Sequence, residues 1–153
     1  MAKFSAPDPA FESRVRASFE RQGIMRLIGA RMTHVTPGRV EIELPYRADL
    51  TQQHGYFHAG VTGTIADSAG GYAGYTLFPP DSTVLTIEYK INLVAPAEGD
   101  KLVAVGQVKR SGRSLTVCEL EVLAVKAGAA RPCAYGLQTL MCLVGRADAP
   151  QGE

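Results

Sequence analysis

The sequence predicts an α+β domain in which an antiparallel sheet lies against a long, buried central helix. Three observations carry that expectation. Residues 50–80 contain one fully charged side chain, Asp67, and from His58 to Leu77 apolar or small residues fall on every side with no proline; a helix that is apolar all round is a buried one. Leu85, Ile87, Tyr89, Ile91 and Leu93 then alternate with Thr86, Glu88, Lys90 and Asn92, the period of a strand. The strand-like runs that follow are joined by short turns, which favours antiparallel neighbours.

Composition sets the frame. The 153 residues are 46% hydrophobic and 20% charged, which fits one ordinary globular domain, read as 8–145 with disordered ends at 1–7 and 146–153. Sixteen basic and fifteen acidic residues leave a net charge of +1. That balance offers no electrostatic reason to expect nucleic acid or an acidic membrane as a partner. The start, MAKFSAPDPAFESR, has no apolar secretory core, and no run is as apolar and long as a membrane span. A cytoplasmic protein is expected. Cys118, Cys133 and Cys142 lie in alternating apolar runs without metal-ligand spacing, so they read as buried thiols in a reducing compartment, with no metal.

The elements follow in order. Asp8-Pro9 offers an N-cap and a proline at the first helical position, and Phe11, Val15 and Phe19 recur on one face until Gly23. This amphipathic helix is expected to cover the main core. Ile28 to Val35 reads as a strand, Thr36-Pro37-Gly38 as a turn, and Val40, Ile42 and Leu44 as the inward face of a second strand. In the central helix, glycines at 60, 63, 70, 71 and 74 each oppose helicity by about 1 kcal/mol relative to alanine. The compensation expected is close approach of a curved sheet. Pro79-Pro80 end the helix. Strands are then expected at 85–93, Lys101–Lys109, Leu115–Val125 and Cys133–Val144, with turns at Pro96–Asp100 and Ser111-Gly112 and a loop at Gly128–Arg131.

Asp67 is the residue that needs explaining. A carboxylate in an apolar helix costs several kcal/mol unless it is paired or hydrogen-bonded. One reading has it facing solvent or bonded to Ser68 or Thr64; the other makes it a general base or nucleophile. The second polar signal is Gln52-Gln53-His54-Gly55-Tyr56-Phe57-His58-Ala59-Gly60, which runs straight into the helix. Free N–H groups of Ala59, Gly60 and Val61, at the positive end of the helix dipole, would suit an oxyanion; a plain helix start capped by His58 is the alternative. Asp67 lies nine residues past His58, about half a turn out of phase and about 13 Å along an ideal axis. If both serve one site, two copies must supply them, as a two-fold dimer does.

His58-Ala59-Gly60 followed by Thr64-Ile65-Ala66-Asp67 resembles the His-Gly-Gly…Asp signature of hotdog-fold acyl-CoA thioesterases of the phenylacetate-degradation (PaaI-like) type. The similarity runs from about Phe11 to Val144. It includes Thr86 to Pro96, the Pro96-x-x-Gly99-Asp100 spacing and the Lys109-Arg110-Ser111-Gly112-Arg113 turn. The resemblance implies an antiparallel sheet wrapped around a long helix, dimers or dimers of dimers, active sites between protomers, an acyl-CoA substrate and no cofactor. Asp67 matches the carboxylate that activates water or attacks the thioester. Ala59 stands where the family has a glycine whose N–H polarises the thioester carbonyl, with His58 before it and Gly60 after. Gln52 stands where relatives often carry asparagine, and Thr86 where a hydroxyl orients the water. The Lys109–Arg113 turn resembles the segment that meets the nucleotide end of coenzyme A. Tyr56, Phe57, Tyr72 and Tyr75 are either core or lining of the acyl tunnel.

Two other functions are carried forward. A hotdog hydratase would use an aspartate and histidine five apart, a spacing Asp49 and His54 have without the usual Asn-Pro between them. A non-catalytic acyl-CoA-binding protein would keep the pocket without needing Asp67.

Overall fold

Alternating apolar residues in four strands place one face of a sheet against a helix that has almost no charge. Our computed structural model describes residues 4–150. The elements are α1 (Phe11–Glu20), α2 (Gly23–Ile28), β1 (Arg31–Thr36), β2 (Arg39–Pro45), a short 3-10 turn (Ala48–Leu50), α3 (Ala59–Tyr75), β3 (Ser82–Leu93), β4 (Lys101–Ser111), β5 (Leu115–Lys126) and β6 (Ala129–Val144). All six strands form one antiparallel sheet in the order β1-β2-β4-β5-β6-β3. Val40, Ile42 and Leu44, Leu102 and Ala104, Leu120 and Val122, and Leu140 bury their side chains against Ile65, Ala69 and Ala73 of α3. The α+β expectation of a sheet packed on a central helix is met.

The glycines explain how close that packing is. A Cβ on Gly106 of β4 would overlap the Ala69 carbonyl, and one on Gly74 would overlap a Leu140 methyl. Close approach of the sheet therefore accounts for Gly74 and likewise Gly70, whereas a Cβ on Gly71 would meet no neighbour and one on Gly60 only its His58 cap, so the expectation holds for part of the helix. Arg14 ties α1 to the end of α3: its guanidinium donates to the carbonyls of Phe78 at 2.8 Å and Pro79 at 2.5 Å, and lies over the Tyr75 ring.

Several local expectations change. Asp8 does accept the Ala10 N–H at 2.9 Å, but α1 begins at Phe11, and the Asp8 carboxylate is buried 3.1 Å from Arg14 Nε. Gly23–Ile28 is a second short helix rather than a lead-in to strand. Gly29, at φ +77, ends it, so β1 starts only at Arg31. β6 begins at Ala129, four residues before Cys133, because Ala127 and Gly128 make the turn with positive φ. Near the ends, Phe4 packs over Gly38, and Asp148 is held by Arg21 and Thr83. Residues 1–3 and 151–153 of the expected tails lie outside the described residues.

The largest departure is in β3. A bulge between Thr86 and Glu88 breaks the alternation against β6. Before it, Val84 and Thr86 face α3; after it, Tyr89 and Ile91 do, with Tyr89 beside Gly63. Leu85 and Ile87, expected to share a face with Tyr89 and Ile91, point outward and are about half exposed.

Candidate active site

On α3, Gly63, Asp67, Gly70 and Gly74 recur at helical spacing and line one face. That face meets β3, β5 and β6: Gly63 lies against Tyr89, Gly70 against Gln138 and Leu120, Gly74 against Leu140 and Thr116. The half-buried Asp67 is thus the one charged group on a surface shaped for close contact. Thr86 Oγ1 donates to Asp67 Oδ1 at 2.8 Å, so the bulge in β3 delivers the hydroxyl to the carboxylate. Of the two readings of Asp67, the structure supports neither bonding to Ser68 nor to Thr64. Ser68 donates to Gln22 at 3.1 Å and Thr64 to the Gly60 carbonyl at 2.8 Å.

Gln138 was missed by the sequence reading. It is buried in β6, and its Nε2 donates to Asp67 Oδ1 at 2.6 Å, to the Asp67 carbonyl at 3.0 Å and to Thr86 Oγ1 at 3.0 Å. Its Oε1 has no partner among the described residues and sits where a Cβ on residue 70 would be. Both donors converge on Oδ1. Oδ2 has no partner among the described residues, and so is left to take a proton or an electrophile.

The start of α3 forms the second cluster. The 51–57 loop is closed by a Thr51–Phe57 bridge and by the Gln52 side chain, which accepts the His54 N–H. His58 is the N-cap, and its Nδ1 accepts the Gly60 N–H at 2.8 Å. The cap given as the alternative reading of His58 is present, and it takes up the Gly60 N–H in this structure. The N–H groups of Ala59 and Val61 have no acceptor among the described residues. Gln52, Ala59 and Thr62 line a cavity of about 430 Å³ with Phe57, Val94 and Cys133. Asp67 and Thr86 line a different one, of about 420 Å³. One chain does not bring the two clusters together, as the helical phase requires.

The Lys109–Arg113 turn stands apart from both clusters and is exposed throughout. Lys109 pairs with Glu119 at 2.5 Å, Ser111 Oγ meets Thr116 Oγ1 at 3.2 Å, and the Gly112 N–H closes the turn on the Leu115 carbonyl. Phe57, Tyr72 and Tyr75 are core, while Tyr72 also lines the Asp67 cavity and Tyr56 and Phe57 line that of Ala59. Burial pushes the Tyr72 hydroxyl up to about 12. The three cysteines are free and buried, and burial raises Cys118 to about 12 and Cys133 to about 11. Asp49 is clasped by Arg47 at 3.1 and 2.7 Å, and that contact lowers its pKa. Arg47 engages both oxygens of the carboxylate that a hydratase would pair with His54. Among the described residues no three His, Cys, Asp or Glu side chains cluster as a metal site, and no helix is long and apolar enough to cross a membrane.

Comparison with known proteins identifies the family and fold. The model of the Thioesterase superfamily matches residues 54–129, from the loop before α3 to the start of β6. A crystal structure of a thioesterase family protein from Silicibacter pomeroyi is 44% identical, with a TM-score of 0.87 over 88% of this chain and 99% of that one. The 1,4-dihydroxy-2-naphthoyl-CoA hydrolase of Listeria monocytogenes is 25% identical over 65% of this chain and 81% of its own. The E. coli PaaI protein from the phenylacetic acid degradation operon shares the fold, at 20% identity and a TM-score of 0.78 over 88% and 94% of the two chains. The chain belongs to the thioesterase superfamily. Its fold is the hotdog fold, and membership of this superfamily supports thioester hydrolysis in general.

Proposed function

We propose that the protein hydrolyses an acyl-CoA thioester to a free acid and coenzyme A, at sites shared between two protomers. The observation that carries this is the Asp67 carboxylate, held through one oxygen by Thr86 and Gln138 with the other oxygen free. Asp67 and Thr86 of one protomer face the α3 start of its partner. Ala59 N–H donates to the thioester oxygen, and Gln52 holds the reactants at that end. Acting as base, Asp67 takes a proton from water as its oxygen bonds to the acyl carbon. The oxyanion collapses, the C–S bond breaks, and the departing thiolate takes the proton held by Asp67, leaving as coenzyme A and restoring the carboxylate. Acting as nucleophile, Asp67 would form an anhydride that water then opens. His58 serves by capping α3, and Arg110 and Arg113 offer charge to the coenzyme A phosphates.

Assembly of copies has its own support. β3 is an edge strand, and Leu85, Ile87, Tyr89 and Leu93 are each roughly half exposed along it. Such an apolar edge in a single chain marks an interface. A homodimer, or a dimer of dimers, covers it. The buried free thiols fit a reducing compartment such as the cytoplasm.

The test is release of coenzyme A from short, medium, long and aryl acyl esters by wild type and Asp67→Asn. Turnover is expected in the wild type and a loss of at least about 1000-fold in the variant. Full activity in Asp67→Asn would overturn the mechanism, and binding without turnover in the wild type would make this an acyl-CoA-binding protein.

A further inference from the structure

The cavity beside Asp67 is bordered by a contact between parts of the chain distant in sequence. After β6, Gly145 adopts φ +73 and its N–H bonds the Asp81 carbonyl at 2.7 Å, turning the chain back across the molecule. Asp148 is then fixed on two sides. Its Oδ1 accepts from Thr83 Oγ1 of β3 at 2.8 Å, while the Arg21 guanidinium at the end of α1 reaches its Oδ2 at 2.5 Å and its carbonyl at 2.7 Å.

Arg21 and Asp148 line the Asp67 cavity of about 420 Å³, and both also line a second cavity of about 410 Å³. The second extends past them toward Tyr75, Asp81 and Gly145. The ion pair and the tail it holds thus stand between two spaces of similar size. The near one opens on the carboxylate at the reacting centre, with Ser68, Tyr72 and Val84 in its walls.

We propose that the Arg21–Asp148 pair is the end wall of the acyl-binding pocket and sets the longest acyl group that fits. The inference rests on the thioesterase reading for its location, and on the paired cavities for its effect. A compact acyl group fills the near cavity. Opening the wall joins the second cavity to it and admits longer chains, each further buried methylene strengthening binding about fourfold. Arg21 and Asp148 are specificity residues that do not touch the reacting atoms.

The test uses hydrolysable acyl-CoA esters and non-hydrolysable S-alkyl-CoA thioethers of four to sixteen carbons, on the full chain. Wild type, Asp148→Ala, Asp148→Asn and a chain ending at Arg146 are compared, with thermal melts to show each is folded. In the wild type, affinity is expected to rise with length and then stop. In Asp148→Ala and the shortened chain the limit should move out by two or more carbons, with at least a tenfold gain for the longest ligands. Asp148→Asn keeps one side-chain acceptor for Thr83 and the backbone carbonyl for Arg21 but loses the charged oxygen that Arg21 pairs with, so its limit should move out less than that of Asp148→Ala. An unchanged length profile in both opened variants overturns the proposal. Thioethers whose limit shifts, with no ester hydrolysed, would keep the wall and overturn the thioesterase reading. Failure of every thioether to bind would overturn the wall together with its pocket.

Discussion

Replacing Ala59 with proline deletes one N–H and disturbs little else. Ala59 is the first residue of α3, where an N–H has no acceptor within the helix and proline is well tolerated. His58 before it already has φ −63 and ψ 141, the extended backbone that a residue preceding proline adopts. The His58 cap on Gly60 and the Thr62 N–H bond to the His58 carbonyl do not involve the lost group. Stability should therefore change by no more than about 0.5 kcal/mol. Loss of an oxyanion donor costs about 3–4 kcal/mol in the transition state, or roughly 100- to 1000-fold in kcat. Coenzyme A release at saturating ester reads this, with Ala59→Gly as a control that keeps the N–H and its activity. The same variant tests the shared site. Mixed with Asp67→Asn protomers and allowed to exchange, half the dimers become mixed, and each holds one whole site out of two. Recovery of about a quarter of wild-type activity is expected. Full activity in Ala59→Pro refutes the oxyanion role, and an inactive variant that mixing does not rescue refutes the exchange of groups between protomers.

Two further outcomes follow from particular contacts. Gln138→Leu removes the donors to Asp67 and Thr86; a hydrogen bond to a charged group contributes about 1.5–3 kcal/mol, so kcat should fall roughly 10- to 100-fold. An unchanged kcat would leave Gln138 as packing alone. The hydrogen bond from Lys101, opposed by partial burial and aided by Arg31, holds Glu43 below its ordinary value of 4.5. A carboxylate depressed on folding contributes stability that is complete above its unfolded pKa and is lost as pH falls through its folded one. Urea unfolding from pH 6 down to pH 3 should therefore show acid weakening of about 1 kcal/mol or less that Glu43→Gln lacks; equal pH dependence in the two proteins would refute the assignment.

What could be read in the sequence was what short-range periodicity carries. Val40, Ile42 and Leu44 alternate in the sequence and bury fully in β2, and the uncharged run around Asp67 folds as the central helix. The bulge in β3 lies beyond such reasoning, because five odd-numbered apolar residues from 85 to 93 look like one face whether or not a residue is inserted opposite Leu140 and Thr139. Gln138 was hidden for a related reason. It sits between Leu137 and Thr139 in a long strand, and only the pairing of β6 with β3 and its packing on α3 bring it to a carboxylate 71 residues away.

The glycines of α3 connect these two failures. Alanine at 70 or 74 would favour the isolated helix by about 1 kcal/mol each. A Cβ at 70 would occupy the place of the Gln138 amide, and one at 74 the place of Leu140. The helix therefore gives up propensity to let the sheet, and the two donors it carries, reach Asp67. A helix poor in local preference, holding a single charge among small residues, is a conflict between levels of structure, and such conflicts concentrate at functional sites. Here that conflict was already visible before any fold was known, and it marked the position of the candidate site. The partners it served became identifiable only once the strands were paired.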